Sequence, residues 1–512
     1  MNSSSFDPNS VQGSTIRQLI DHWATLNPEK IFLIYPIEEL IVNFQELQKR
    51  CQDVVNNLNN LKVKPGDAVA YAMTNGADCA TVILGIMYGG YVATAVNLVS
   101  GKTTIGHVMT HSEADIVIVD EGSESLIGEA LDACKATTKI IRFSNNWFSR
   151  NQDEGLVEVP EVGNKCNALL MYTSGTTGVP KGVVHTHASL LAGGSNAAFA
   201  HELRYSDRAL CVLPLFHING LCVTLLGSLV SGSAIVIPPR FSISQFWQQI
   251  RKYQCSWFSV VPTQISYLLN HAQLHGHDSS GLEKLRFGRS ASAPLSPAVQ
   301  LAFEDTFRLP IIETMGLTET AAQILSNPIH GPFKTGSAGI AYGNEVMISS
   351  DGRKECPRDI EGEVLVRGPN VMKEYRNNSE ATKAALTKDG WLRTGDLGKM
   401  DNDNYVFITG RLKELIIKGG ENIAPREVDE ALYCHPDVIE AAAFARDNEQ
   451  YGQSVEAGVM VKQGSSVTME DLIALCHDKI GSFKSPDIIH FLSELPKGPS
   501  GKIQRMKLAK LT

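Results

Sequence analysis

No run of 18 apolar residues occurs in this chain, so none of it reads as a membrane-spanning helix. The first residues, Met1 to Gly13, are polar and rich in Ser and Asn, without the basic segment and apolar stretch of a secretory signal. Ala509-Lys510-Leu511 lies one residue short of the end, so a peroxisomal address is not supported either. The ten cysteines never form Cys-x-x-Cys and stand mostly inside apolar runs. That excludes a zinc ribbon or a disulfide framework and predicts reduced, buried thiols in a cytoplasmic setting. Positive charge is also short: Lys and Arg number 46 against 55 Asp and Glu, a formal charge of −9, which leaves no basic face for nucleic acid. Short-period repeats and low-complexity tracts are absent, which argues against a solenoid.

What is present is material for ordinary cores. Hydrophobic residues make up 43% of the 512 and charged ones 20%, enough for two to four packed units. Ser14 reads as an N-cap ahead of Ile16, Leu19, Ile20 and Trp23 at helical spacing, and a second helical pattern runs from Phe44 through Leu47 and Cys51 to Leu58. From Asp67 the texture alternates: strand Ala68 to Ala72, helix Ala77 to Tyr88, strands Val92 to Val96 and Ile116 to Val119. It resumes with strands Ala209 to Leu213, Ala234 to Ile237 and Trp257 to Val261, separated by helical patterns. This predicts an α/β fold with two layers of largely parallel sheet and helices on both faces. From about Gly336, short strands at Glu345 to Ser349, Gly362 to Gly368 and Tyr405 to Thr409 predict a small β-rich subdomain. A small α+β unit follows, with helices Pro425 to Leu432 and Met469 to Ile480 around two strands, then a glycine-rich tail. A boundary at Gly410-Arg411 divides the chain into domains 1–410 and 411–512.

One stretch organises the rest: Thr173-Ser174-Gly175-Thr176-Thr177-Gly178-Val179-Pro180-Lys181-Gly182, after the strand-like run Ala168 to Met171. Gly175, Gly178, Gly182 and, further on, Gly193 would let backbone N–H groups approach phosphate oxygens without side-chain clash. The hydroxyls of Thr173, Ser174 and Thr176 add donors, and Lys181 adds a charge. The Walker pattern is not met, because Pro180 stands where it needs Gly-Lys, which disfavours a phosphotransferase of that kind.

This block resembles the phosphate-loop signature of the adenylate-forming superfamily: acyl- and aryl-CoA synthetases, peptide-synthetase adenylation domains and firefly-type luciferases. Further blocks follow in order and extend the likeness from about Ser14 to Lys510. Pro214-Leu215-Phe216-His217-Ile218-Asn219-Gly220 resembles the acyl-pocket motif, in which His217 would shape the acyl site while Asn219 and Gly220 line a tunnel. Amino-acid-activating relatives carry aspartate where His217 stands, which argues against an amino-acid substrate. Phe287 to Leu295 is similar to the strand leading into Gly-Gly-Ala-Pro-Leu beside adenine and acyl group. Ala291 and Ser292 replace its two glycines and narrow the pocket, with Ala293 next to them. Arg289 either makes two parallel bonds to a second carboxylate of the substrate or pairs with a structural acid elsewhere. The run Arg289-Ser290-x-Ser292-Ala293 resembles the oxalyl-CoA type branch of the family.

Glu313-Thr314-Met315-Gly316-Leu317-Thr318-Glu319 resembles the adenine and metal motif, which implies that Thr318 contacts the α-phosphate and Glu319 holds Mg²⁺. Met315 stands where the family has an aromatic, and its thioether would cover the purine face beside Gly316. Thr394-Gly395-Asp396 is similar to the motif whose aspartate accepts hydrogen bonds from the ribose hydroxyls. In Gly410 to Ile423, Arg411 resembles the second ribose and phosphate contact and Lys413 the hinge. Gly419 and Gly420 would let pantetheine pass close to backbone. Pro496-Lys497-Gly498-Pro499-Ser500-Gly501-Lys502 resembles the block with the catalytic lysine, so Lys502 would bridge substrate carboxylate and α-phosphate as charge builds.

The resemblance implies a stand-alone AMP-forming acyl-CoA synthetase using ATP, Mg²⁺ and CoA. A carboxylate attacks the α-phosphorus to give acyl-AMP and pyrophosphate, the small domain turns about Lys413, and CoA thiolate releases AMP. His217, Asn219, Thr263, Arg289, Ser292 and Met315 would form a small or partly polar pocket for a short acid or a dicarboxylate. Two other readings stay open: an adenylating ligase that loads a separate carrier protein, since no carrier domain follows Lys502, and a silent ligand-binding protein of the same fold. Against the second stand Lys502, Glu319, Asp396 and Arg411, all present. The oligomeric state is left open.

Overall fold

Thr15, not Ser14, opens the first helix, Ile16–Leu26. Its hydroxyl accepts from Gln18 N–H while Gln18 Oε1 accepts from Thr15 N–H at 2.9 Å. Only from Thr15 does a glutamine stand three residues on, so only there can the two orphan donors be satisfied reciprocally. The structure, a computed structural model, describes residues 11, 13–148, 159–173, 179–498 and 502–512.

Among the described residues the strands form four sheets. The first has a parallel centre, Asn167–Thr173, Val92–Ala95, Ala68–Ala72, Ile116–Val119 and Lys139–Arg142, with antiparallel Lys181–Thr186 and Glu374–Tyr375 added at one edge. The second runs parallel through Ile311–Leu317, Phe287–Ser290, Trp257–Val260, Arg208–Cys211, Ala234–Val236 and Ile31–Tyr35, and has antiparallel edges. Strands such as Ala68–Ala72 are buried along their whole length, because a parallel strand covered on both faces must be continuously apolar. One large apolar core joins the two sheets, with helix Ala77–Tyr88 buried at every position but Asp78.

Helix His187–Ala200 lies in the same core and corrects one expectation. A Cβ on Gly193 would sit 2.3 Å from the Ala321 carbonyl oxygen, so this buried helical glycine permits helix-to-backbone contact, a packing reason for glycine in place of the expected phosphate approach. Gly182 behaves likewise: it lies in the strand Lys181–Thr186, where a Cβ would meet Leu170 Cδ1 at 2.9 Å.

The third sheet is antiparallel: Glu345–Ser349, Gly362–Arg367, Leu392–Met400 and Val406–Arg411. The fourth begins at Ile416–Lys418 and includes the long hairpin Val438–Asn448 with Gly452–Val461 and the strand Ile488–Phe491. The tail is not plain loop. Helix Arg505–Leu511 closes it, because Leu508 is buried against Ala442, Phe444 and Leu495. All ten cysteines are free, and six are buried, yet Cys166 and Cys434 are exposed, contrary to the expectation of generally buried thiols. No helix among the described residues is long and apolar enough to cross a membrane.

Candidate active site

The phosphate-loop stems are a register pair, Thr173 opposite Lys181. Ser174, Gly175, Thr176, Thr177 and Gly178 lie outside the described residues. The Lys181 ammonium lies 4.9 Å from the centre of the Tyr375 ring, and the Tyr375 hydroxyl donates to Glu319 Oε1 at 2.8 Å. Tyr375 is absent from the residues singled out by sequence. It reaches the site through a two-residue strand paired with Val183, which has no local signature.

Thr318 and Glu319 occupy a single 3₁₀ turn, Thr318–Thr320, whose Thr318 carbonyl lies 2.7 Å from His185 Nε2. His185 is buried, desolvation pushes its pKa down to about 4, and the neutral ring donates to that carbonyl. Among the described residues no group of three or more His, Cys, Asp or Glu is gathered for a metal. A lone carboxylate, Glu319, suits Mg²⁺, which keeps waters and takes substrate phosphate oxygens in place of a protein cage.

Two adjoining cavities collect most of the remaining residues. The larger, about 930 Å³, is lined by Thr173, Lys181, His217, Asn219 and Arg289 on one side and by Thr318, Glu319 and Lys413 on another. The smaller, about 180 Å³, is lined by Thr263, Ala293, Met315 and Asp396. Ser292, Gly316, Arg411 and Lys502 border both. Gly419 and Gly420 border neither: they form the exposed turn between Ile416–Lys418 and Glu421–Ile423, with φ of +58° and +87°.

Asp396 and Arg411 face each other across paired strands, with Arg411 Nε 2.6 Å from Asp396 Oδ1. Lys502 is half-buried between the cavities. Burial lowers its pKa, and the neighbouring Arg411 cation lowers it further.

At the acid end of the larger cavity, strand Phe287–Ser290 holds Arg289 between Ser259 and Ile312 of its neighbours. Arg289 is 2% exposed. Its Nη1 donates to Asn219 Oδ1 at 2.7 Å and to Ser259 Oγ at 2.9 Å, and its Nε donates to Gln323 Oε1 at 3.3 Å. Among the described residues no carboxylate lies within ion-pairing distance, which removes the reading that Arg289 serves a structural acid. Desolvation pushes its pKa down to about 9.

Asn219 opens a π-helical stretch, Asn219–Leu226, unforeseen in the sequence, and such stretches are frequent at functional sites. Its side-chain NH₂ donates to Ser292 Oγ at 3.3 Å. Ser292 adopts φ +73°, the left-handed conformation that glycine holds without strain. His217 borders the same cavity, its pKa pushed down to about 4 by desolvation. Ser259 and Gln323, which fasten Arg289, carry no motif and were not foreseen.

A sequence profile of the AMP-binding enzyme family matches residues 20–376, and the AMP-binding enzyme C-terminal domain matches residues 427–502. A sulfoacetate–CoA ligase from Cupriavidus necator is 40% identical over 499 residues, 96% of this chain and 97% of that protein. An oxalate–CoA ligase from Arabidopsis thaliana is 36% identical over 463 residues, 87% of this chain and 88% of that protein. Among solved structures, ATP-bound MatB from Rhodopseudomonas palustris superposes with a TM-score of 0.88 at 25% identity, covering 97% of this chain and 98% of that one.

Proposed function

Because this chain belongs to the AMP-binding enzyme family and is an AMP-forming acyl-CoA synthetase, we propose that the acid it activates is short and carries a second anionic group held by Arg289. One observation carries this reading: a guanidinium sealed into the cavity wall with only neutral side chains as partners among the described residues. A buried cation left uncompensated is costly, so its natural counter-ion is the ligand. The acids for which the two relatives are named, sulfoacetate and oxalate, each carry two acidic groups, which supports the reading.

The substrates are the acid, ATP and CoA. In this mechanism the far anionic group lies on Arg289, His217, Asn219 and Ser292 surround the short tail, and Thr263 and Met315 line the adjoining smaller cavity beyond Ser292. The near carboxylate attacks the α-phosphorus with Lys502 beside it, a point charge placed where negative charge builds. Thr318 contacts the α-phosphate, Lys181 and Thr173 meet the departing phosphates, and the Asp396 carboxylate takes the ribose hydroxyls. Mg²⁺ would neutralise phosphate charge, with Glu319 as its protein ligand. Tyr375 belongs to this apparatus, because its hydroxyl bonds Glu319 and its ring lies under Lys181, so it orients both charges. The unit 411–512 then turns about Lys413, bringing Gly419 and Gly420, which border neither cavity in this arrangement, to the acyl site for CoA.

The test is pyrophosphate and AMP release with Mg·ATP across oxalate, malonate, sulfoacetate, acetate, propionate, benzoate and octanoate, with and without CoA. The expected result is release with the doubly anionic acids and thioester only with CoA. Equal or better rates with acetate, propionate or octanoate would overturn the second-anion assignment, and pyrophosphate release without thioester would assign the acceptor to a carrier protein.

A further inference from the structure

The bonds around Arg289 also determine which atoms face one another. A guanidinium has donors only, so the oxygen of Gln323, and not its NH₂, lies against Arg289 Nε. His201 Nε2 lies 3.0 Å from that same oxygen and must therefore carry the hydrogen. His201 Nδ1 is correspondingly bare and has no partner among the described residues, as the Gln323 NH₂ has none. Both side chains are fully buried, and desolvation together with the Arg289 cation keeps the imidazole neutral. Three acceptors thus fasten the guanidinium, from Gln323, Asn219 and Ser259, and each is uncharged. A carboxylate at position 323 would fill the same volume and accept the same bonds more strongly, so the amide is the weaker choice for fastening alone.

We propose that Gln323 is a specificity-determining residue: as a neutral acceptor it aims Arg289 while leaving the guanidinium charge for the second anionic group of the acid. The inference rests on the acid assignment made above. Asn219 works in the same sense from the other side of the guanidinium, at 2.7 Å.

Gln323→Glu places one negative charge within hydrogen-bond reach of Arg289 and turns an open cation into an internal ion pair. The readout is the ratio of kcat/KM for malonate to that for propionate, and for oxalate to that for acetate, measured as AMP formation in the full-length enzyme with CoA. Gln323→Glu is expected to lower both ratios at least 100-fold, chiefly through loss on the diacid. Gln323→Met, which removes the acceptor without adding charge, is expected to lower them less than 10-fold. Asn219→Asp supplies the counter-charge by an independent route and keeps the test open if Gln323→Glu does not fold, and it too is expected to lower both ratios.

Ratios retained in the folded acidic variants would overturn the proposal, and so would a Gln323→Met loss as large as that of Gln323→Glu. A wild-type enzyme without preference for the diacids would instead sink the acid assignment itself, an outcome read before any variant is made.

Discussion

Replacing Arg289 by methionine keeps an unbranched stem in the strand Phe287–Ser290 and removes the charge. In the complex proposed here the guanidinium is buried and would meet a buried anion, and truncating one member of such a pair costs about 2–5 kcal/mol. At about 1.4 kcal/mol per tenfold, kcat/KM for malonate or sulfoacetate should fall by roughly 30-fold to a few thousandfold. Propionate makes no such bond, so its kcat/KM should stay within a few fold or rise. The free enzyme also loses three hydrogen bonds, to Asn219, Ser259 and Gln323. The Ser259 hydroxyl still donates to Asn219 Oδ1 at 3.2 Å, so the cost in stability should stay near about 1–3 kcal/mol. Steady-state AMP formation on the paired acids gives the first quantity and urea unfolding the second. Equal losses on malonate and propionate, in a variant that remains folded, would refute the idea that Arg289 reads the second anion.

Lys502→Ala should slow acyl-AMP formation by at least about 10²–10³-fold, the usual cost of removing one preorganised electrostatic contact. Thioester formation from supplied acyl-AMP should change only a few fold, and equal loss in both half-reactions would contradict an exchange of catalytic groups by domain turning. For His185 the folded pKa, about 4, lies below the unfolded value near 6.5, so the folded state binds fewer protons in between. Its contribution is fully present above pH 6.5 and is lost as pH falls toward 4. The stability of the wild type relative to His185→Gln should therefore drop by about 2 kcal/mol between pH 8 and pH 5 in urea titrations, and a flat difference would show that the ring is not held neutral.

The alternation of strand and helix was legible because parallel strands covered on both faces are uninterrupted apolar runs, as in Ala68–Ala72 and Ile116–Val119. Residues that come as contiguous blocks, such as Thr318-Glu319 or Thr394-Gly395-Asp396, could be singled out in the sequence, and the structure gathers them around the two cavities. What escaped the sequence depends on contacts between distant segments. Tyr375 meets Glu319 only because a two-residue strand joins the sheet edge, and Gln323 meets Arg289 only because an antiparallel strand folds back beside Ile311–Leu317. Glycine was the most misleading letter. Gly182 and Gly193 look like phosphate-loop residues along the chain, yet in space each yields to a packing neighbour, Leu170 and Ala321. The N-cap was misread for a smaller reason, since Ser14 and Thr15 are both good caps and only the position of Gln18 decides between them.

The cations around the larger cavity divide by their partners, and the division extends the argument from Arg289 to the whole reaction. Arg393 pairs with Glu363, Arg411 with Asp396 and Lys497 with Glu440, so those charges are already balanced within the protein. Exposed Lys507 has no carboxylate within ion-pairing distance among the described residues, and neither have the more buried Lys181, Arg289 and Lys502. In a chain of formal charge −9, acidic partners are plentiful, so leaving these three open is a property of the site and not of composition. Each of these three more buried cations corresponds to one negative centre of the proposed reaction: the departing phosphates at Lys181, the attacking carboxylate and α-phosphate at Lys502, and the far anionic group at Arg289. In the proposed reaction Lys181 and Lys502 would meet charges that every acid of this class brings with ATP, so they would not discriminate between acids. Arg289 can, because a monoacid leaves it buried and unpaired, and sites built around a buried polar contact reject analogues lacking the partner by factors on the order of 10⁴–10⁵. On the proposed reading, selectivity for the second anion would arise from the cost of leaving Arg289 without a counter-ion, and it should persist for any short tail that presents an anion there, carboxylate or sulfonate.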